Sequence, residues 1–355
     1  MASEIISFVD AFSGAGGLTI GLSKAGMTPL LSFDNDPRAI ATLRANPEHI
    51  QHKTMQVDAT ELVPDGLLSE IGMKAGELDV LVGGPPCQGF SVQRIGKSFD
   101  ARNDLVIVFG QLVEQTLPRL FLMENVPGLT GRRGRPILDM FLENMSKAGY
   151  LVHSAILDAQ DYGVPQRRRR LILVGERNNG VINRFQFPEP DSTRRITVRD
   201  TIGKLPETPL DCTDHPMYPR HRRDRLSEVN KQRLAALEQS QGRQHLPSHL
   251  LADCHQVDSK VIGHRNVYGR MPWDDVAPTI TARFDSFTRG QFGHPDQLRS
   301  ISVYEGALIQ TFPEDYTFVG TKVEAARQVG NAVPPRLGKA LGKSLVQSLT
   351  PVGHQ

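Results

Sequence analysis

Seven short apolar runs punctuate the first half of this chain, at residues 5–12, 29–33, 53–57, 78–82, 119–123, 151–157 and 170–174. Stretches of helical periodicity separate most of them. The clearest lies at 104–117, where Leu105, Val108, Phe109, Leu112, Val113 and Leu117 recur at the spacing of one helix face. Further helices are expected after the first run as far as Lys24, over 38–45, and from Pro136 to about Lys147. Proline at the start and Gly149 past the end punctuate the last of these. Strand and helix taking turns confine the chain to an α/β architecture with parallel βαβ units and a doubly wound, mostly parallel sheet.

The pattern breaks down near residue 180. Residues 191–270 are polar, dotted with proline and weak in periodicity. They hold 14 Lys and Arg against 10 Asp and Glu, and six of the chain's 11 histidines, so they form a local basic region. A second, smaller, loop-rich domain over 186–321 is expected, with 1–185 and 322–355 forming the larger one. The full 355 residues suffice for such a pair. A net charge of +2 makes whole-surface attraction to polyanions weak, so nucleic-acid contact has to come from local patches. Three cysteines in so long a chain argue against a disulfide scaffold and for a reducing compartment. The polar start with Glu4 does not read as a secretory leader, and no run approaches the ~18 apolar residues of a membrane span. A cytoplasmic protein is expected.

Two loops carry chemistry. Asp10-Ala11-Phe12-Ser13-Gly14-Ala15-Gly16-Gly17 follows the first strand and opens a helix, the context in which a glycine-rich loop binds a cofactor. Asp34 lies 18 residues past Gly16 at the end of the second strand, placed to accept from ribose hydroxyls. Asp58 ends the third strand, within reach of an adenine amine. This pattern suits a dinucleotide as well as S-adenosylmethionine, and a tight turn with a surface Asp is the plain alternative. The second loop is Gly83-Gly84-Pro85-Pro86-Cys87-Gln88-Gly89-Phe90-Ser91, directly after the run at 78–82. Pro85 and Pro86 stiffen it, and the glycines allow close approach of a flat ligand. Cys87 sits in a loop at a strand's carboxyl end, where open α/β sheets bind ligands, which suits a nucleophile better than a buried structural thiol.

Further runs complete a pattern: Met123-Glu124-Asn125-Val126, then Tyr162-Gly163-Val164-Pro165 with Gln166-Arg167-Arg168-Arg169-Arg170, then Gln328-Val329-Gly330-Asn331-Ala332-Val333-Pro334-Pro335. In this order they closely resemble the DNA (cytosine-5)-methyltransferase family, of the bacterial modification methylase type. The likeness runs through blocks at 10–21, 33–38, 83–91, 123–127, 162–170, 279–282, 299–313 and 328–335. It implies a Rossmann-like, S-adenosylmethionine-dependent fold and methyl transfer to carbon 5 of a cytosine in a specific double-stranded DNA sequence. It implies base flipping and attack by Cys87 on carbon 6, with Glu124 facing ring nitrogen 3 and Arg168 and Arg170 positioning the base. For the cofactor it implies Phe12, Gly14, Gly16, Asp34, Asp58, Pro86, Leu105 and Asn331. For DNA it implies Gln88, Ser91, Gln166 and Thr279. The same resemblance implies a chain acting as a monomer, associated with the nucleoid and not with a membrane.

Two positions depart from the family's pattern. Asn35 stands where a bulky residue often stacks on adenine. Tyr304, in Arg299-Ser300-Ile301-Ser302-Val303-Tyr304-Glu305 before Phe312-Pro313-Glu314, stands where arginine is usual. The run Arg220-His221-Arg222-Arg223-Asp224-Arg225 offers phosphate contacts, which position without specifying, or else a solvated helix start. Cys212 and His215 with Cys254 and His255 are too loosely spaced for tetrahedral zinc, so no metal is expected. One rival keeps the chemistry and changes the polymer to transfer RNA. Another, a nicotinamide-dependent oxidoreductase, leaves the cysteine and Glu-Asn-Val motifs without a role.

Overall fold

The computed structural model describes residues 5–63, 66–86, 104–178, 184–191, 194–252 and 267–350. The chain divides into two compact units: Met1–Asp158 with Arg169–Asp191 and Val333–Gln355, and Ala159–Arg168 with Ser192–Ala332. This differs from the expected segmentation in three places. Residues 159–168, inside the expected larger domain, and residues 322–332, expected to return to it, both belong to the second unit, whereas residues 186–191, expected in the smaller domain, belong to the first.

The first unit holds one seven-stranded sheet. Its strands are β1 (Ser7–Ala11), β2 (Thr28–Asp34), β3 (Lys53–Gln56), β4 (Val80–Gly83), β5 (Leu120–Asn125), β6 (Tyr150–Asp158) and β7 (Arg169–Arg177). Each expected apolar run is a strand. The spatial order is β3-β2-β1-β4-β5-β7-β6. β1 to β5 pair in parallel, whereas β7 runs antiparallel between β5 and β6. Helices α1 (Gly17–Ser23), α2 (Pro37–Arg44), α3 (Gly66–Ile71), α4 (Asp104–Thr116) and α5 (Arg135–Lys147) supply crossovers between the parallel strands and the link from β5 to β6. The chain leaves β1 toward β2 and β3, then returns to place β4 on the other side of β1. The carboxyl ends of β1 and β4 therefore mark the switch point where such sheets open a crevice. Ala11 pairs with Gly83, so the loops that follow these two strands start side by side. Gly83 is required there, because a Cβ would lie 2.8 Å from the Ala11 carbonyl and 2.9 Å from the Phe109 ring.

Beneath this edge, Phe109, Phe121 and Phe141 pack with ring centroids 5.8–6.4 Å apart, all fully buried. Burial of aromatic area on this scale dominates a core's stability. The helix Pro335–Leu349 packs on α1 through glycines: a Cβ on Gly21 would lie 2.5 Å from the Pro335 carbonyl and 2.7 Å from Gly338 Cα.

The second unit is built differently. Among the described residues it has no strand, only short helices such as Val303–Ile309 and Lys322–Asn331 and isolated bridges. Irregular backbone leaves carbonyls without ladder partners, and buried carbonyls need donors. Buried arginines supply them. Arg270 donates to the carbonyls of Leu234, Leu237, His294 and Pro295 at 2.7–3.1 Å. Arg299 forms a bidentate pair with Glu305, both bonds 2.7 Å and both residues fully buried. Burial alone pushes the Glu305 carboxyl up, but the guanidinium outweighs it and leaves the group near 2. Beside this pair Tyr304 is buried, its ring 5.4 Å from Tyr218 and 5.9 Å from His221, so an aromatic cluster takes up the departure from arginine. No helix among the described residues is long and apolar enough to cross a membrane.

Candidate functional site

At the carboxyl end of β1 the backbone turns sharply. Phe12, Gly14 and Gly16 all have positive φ, at 56°, 52° and 77°. Glycine adopts this region freely, whereas Phe12 is strained there. The space beyond Gly14 is open, with nothing within 4 Å of where a Cβ would point. Asp34 ends β2 facing this turn. One carboxylate oxygen accepts from the Gly14 amide and the other from the Asp36 amide, each at 2.8 Å. These bonds fix the carboxylate and leave lone pairs for a ligand's hydroxyls. Burial raises its pKa, against the amides that lower it. Asp58 accepts from the Thr60 amide and hydroxyl at 2.9 and 2.7 Å, and the hydroxyl contact is the main cause of its lowered pKa. Asn35 also hydrogen-bonds Asp58. The amide that replaces a stacking residue thus lies beside the expected adenine partner. Phe12 packs on Phe33 at 6.4 Å, and Leu105 is partly buried at the start of α4. An open cradle with a pre-oriented carboxylate fits an adenosine-type cofactor.

The second loop leaves β4 next door. Asn125, at the end of β5, donates to the Pro85 carbonyl at 3.1 Å and so ties down the Pro-Pro turn. Glu124 is buried and paired with Arg170 of β7, Nε to Oε1 at 2.7 Å. A Cβ on Gly84 would lie 3.3 Å from Glu124 Oε2, so that carboxyl adjoins the loop's root. Pro86, half-buried, is the last described residue of the loop. Cys87, Gln88 and Ser91 lie outside the described residues, as do Cys254 and His255.

The remaining expected residues fall in the second unit and are knitted together there. Ala277 and the segment 165–167 pair through two backbone bonds of 2.9 Å. Gln166 is fully buried: its carbonyl accepts from the Ile280 amide at 3.0 Å, and its amide donates to Gln310 Oε1 at 2.5 Å. Every polar group of this side chain faces protein, which corrects its expected placement on DNA. Arg168 is corrected likewise. It was expected to position the base together with Arg170. Its guanidinium is instead fully buried and donates to the carbonyls of Ile280, Gly330 and Ala332, each at 2.9 Å. Thr279 donates to the Arg167 carbonyl at 2.5 Å. Gly330 is tight against Thr281, where no Cβ would fit. Asn331 ends the helix Lys322–Asn331, exposed. The Arg220–Arg225 run is also largely absorbed: Arg220 holds the Phe318 and Gly320 carbonyls, His221 is fully buried, and Arg223 holds the Thr208 carbonyl.

One chain of residues starts at the first position of the glycine-rich motif but has no role in the motif reading. Asp10, fully buried on β1, accepts from Thr19 of α1 at 2.5 Å; Thr19 meets Ser32 of β2 at 3.1 Å; Ser32 meets His52 Nε2 at 2.7 Å. Burial raises the Asp10 pKa to about 7 and lowers that of His52 to about 4. The sequence reading missed this cross-link, because periodicity reports faces and says nothing of polar ties between elements. No group of three or more His, Cys, Asp or Glu among the described residues could hold a metal ion.

Residues 6–347 match the model of the C-5 cytosine-specific DNA methylase family. The Type II methyltransferase M1.HphI of Haemophilus parahaemolyticus is 34% identical over 97% of this chain and 88% of its own. The Type II methylase M.HgiDII of Herpetosiphon aurantiacus is 35% identical over 96% of this chain and 95% of its own. Among solved structures, DNMT2 of Spodoptera frugiperda superimposes with a TM-score of 0.60 at 17% identity, over 96% of this chain and 99% of its own, a likeness of fold.

Proposed function

This chain belongs to the C-5 cytosine-specific DNA methylase family, and on that premise we propose that it methylates carbon 5 of a flipped-out cytosine in one specific duplex DNA sequence, through a covalent bond to Cys87. The enzyme class is DNA (cytosine-5-)-methyltransferase, and its methyl donor is S-adenosylmethionine. When bound, the donor supplies an electrophilic methyl on a sulfonium.

Phe12, Gly14 and Gly16 would shape its cradle, with Asp34 on the ribose and Asp58 toward the adenine. The base has to leave the helix to expose both faces of its ring, at a cost of a few kcal/mol. Cys87 Sγ adds to carbon 6, which makes carbon 5 nucleophilic. Negative charge reaches ring nitrogen 3, where the Glu124 carboxyl handles the proton. Arg170 holds that carboxyl in place, and a preset donor array costs no reorganisation during the reaction. After transfer, carbon 5 releases its proton to solvent, the carbon 6–sulfur bond breaks, and the thiolate is restored. Arg168 acts at one remove, fixing the backbone of Gly330 and Ala332.

The observation that carries this reading is the buried Glu124–Arg170 pair beside Gly84, at the root of the loop that continues to Cys87. Duplex DNA with 5-fluorocytosine at the target tests it, since fluorine cannot leave as a proton does. The expected outcome is an adduct that survives denaturant with the native enzyme and is lost in Cys87→Ser. An active enzyme that traps nothing would overturn the covalent step. Parallel methyl-transfer assays on duplex DNA and transfer RNA are expected to favour the duplex, and the reverse preference would overturn the substrate.

A further inference from the structure

Arg168, Arg270 and Arg299 each direct their guanidinium donors to acceptors inside the second unit, but a fourth buried arginine does not. Arg243 opens the 3-10 turn Arg243–His245 and is 7% exposed. Its Nη1 is sealed from water with no hydrogen-bond partner, and it forms no ion pair among the described residues. The turn is firmly placed. The Arg243 amide donates to the Val267 carbonyl at 3.2 Å, and the Arg243 carbonyl accepts from the Leu246 amide at 3.1 Å. Leu246 in turn packs with Leu234, Leu237 and Phe287 in an apolar cluster. Carbonyls around this cluster already have donors. Arg270 serves those of Leu234 and Leu237, and Arg233 serves that of Leu250 while lying over the Tyr268 ring.

A buried charge without a partner destabilises the fold that holds it. Such conflicts persist where the group serves a ligand. Gln244 and His245, next in the chain, are exposed, so the Arg243 side chain lies just beneath the surface. Residues 191–270 carry 14 Lys and Arg against 10 Asp and Glu, which draws a polyanion. A side chain already held by its surroundings loses little rotamer freedom when a ligand arrives. The missing partner has to bring negative charge as well as oxygen acceptors. A phosphodiester brings both in a geometry that suits guanidinium, whereas a base edge brings acceptors alone.

We propose that Arg243 receives a backbone phosphate of the bound duplex, which completes its hydrogen bonds and neutralises its charge. This rests on duplex DNA being the substrate. The contact positions DNA on the second unit without reading its sequence. It also sets stability against binding, because the same guanidinium weakens the free protein and strengthens the complex.

The test uses the full chain with two probes, a duplex fragment that the native enzyme methylates and a mixed-sequence duplex that it leaves unmodified. Each is titrated across a salt series. Arg243→Met keeps the bulk of the side chain and removes the charge. It is expected to make the slope of log K against log salt shallower by about 0.9, and to weaken both duplexes by the same factor. Without DNA, its denaturant midpoint is expected to rise, as loss of an unpaired buried charge requires. Arg243→Lys keeps the charge and is expected to keep the slope. An unchanged slope in Arg243→Met would overturn the proposal. A loss confined to the substrate fragment would overturn it too, by pointing to a base edge. A lowered midpoint would mean that the guanidinium has an acceptor inside the protein, and would overturn it equally. A native enzyme that binds transfer RNA and ignores duplex DNA would instead refute the substrate assignment, and that failure is distinct from the other three.

Discussion

The two units solve one problem in opposite ways. In the first, strands pair their own backbones and the interior is filled by hydrocarbon: Phe109, Phe121 and Phe141 interlock beneath β4 and β5. In the second, backbone pairing is sparse among the described residues, and Arg168, Arg270 and Arg299 reach inward to carbonyls and one carboxylate. A guanidinium carries five donors in a fixed fork, so one side chain can close several open carbonyls at once. The first unit should therefore be intolerant of added volume, and the second intolerant of lost donors.

Four experiments would break or sharpen that contrast. Arg270→Ala strips donors from four buried carbonyls and leaves a hole. It is expected to cost about 3–5 kcal/mol, seen as early proteolysis of the second unit while the first resists. Equal loss of both units would erase the distinction. Gly175→Ala inserts a methyl group into the Phe121 ring. A cost of about 3 kcal/mol is expected in denaturant unfolding, relieved in part by Phe121→Leu, as overpacking requires. Arg168→Lys keeps the charge but loses the fork, and about 2 kcal/mol should go with it. A neutral outcome would mean the three carbonyl bonds add little.

The last effect is read as a slope with pH, not as a single loss. The Asp10 pKa is about 7 in the folded protein against an ordinary 3.8. Below pH 4 both folded and unfolded chains hold the proton and nothing is lost. As pH rises toward 7, the unfolded chain releases it first, so stability falls by up to about 1.4 kcal/mol per pH unit. Asp10→Asn removes this dependence. His52 has the opposite tendency, gaining stability as pH rises, and Asp34 the same one as Asp10, but both persist in the variant. The difference between native and variant proteins across pH 4–7 isolates Asp10, and parallel curves would show that it is not the titrating group.

The sheet was legible because its strands are apolar runs bounded by glycine and proline, and burial on both faces leaves that mark in any parallel sheet. The glycine turn and the Glu-Asn-Val strand end were legible because unusual dihedrals and a charged residue after apolar ones stand out locally. The roles of Gln166 and Arg168 were not. Polar side chains in a motif look like ligand contacts, and only the fold reveals that Ile280, Gly330 and Ala332 arrive to occupy them. The same holds for Arg220 and Arg223. Whether an arginine faces solvent depends on which distant carbonyls lack donors, and that is not written near the arginine. The unit boundary at 332 was missed for the same reason: the ties between Gln310 and the Val329 carbonyl, and between Arg168 and that of Gly330, are non-local.

The glycine seam between α1 and the helix Pro335–Leu349 bears on how this protein is made. The helix that follows the glycine turn at 12–16 is covered by residues some three hundred positions downstream, with Gly21 and Gly338 in near backbone contact. A ribosome must release almost the entire chain before that surface is shielded from water. Activity should thus switch on late and as a whole, and a partly translated polypeptide would leave the genome unmarked. By the same token, a fragment ending before residue 335 should regain function when the missing helix is supplied as a separate peptide.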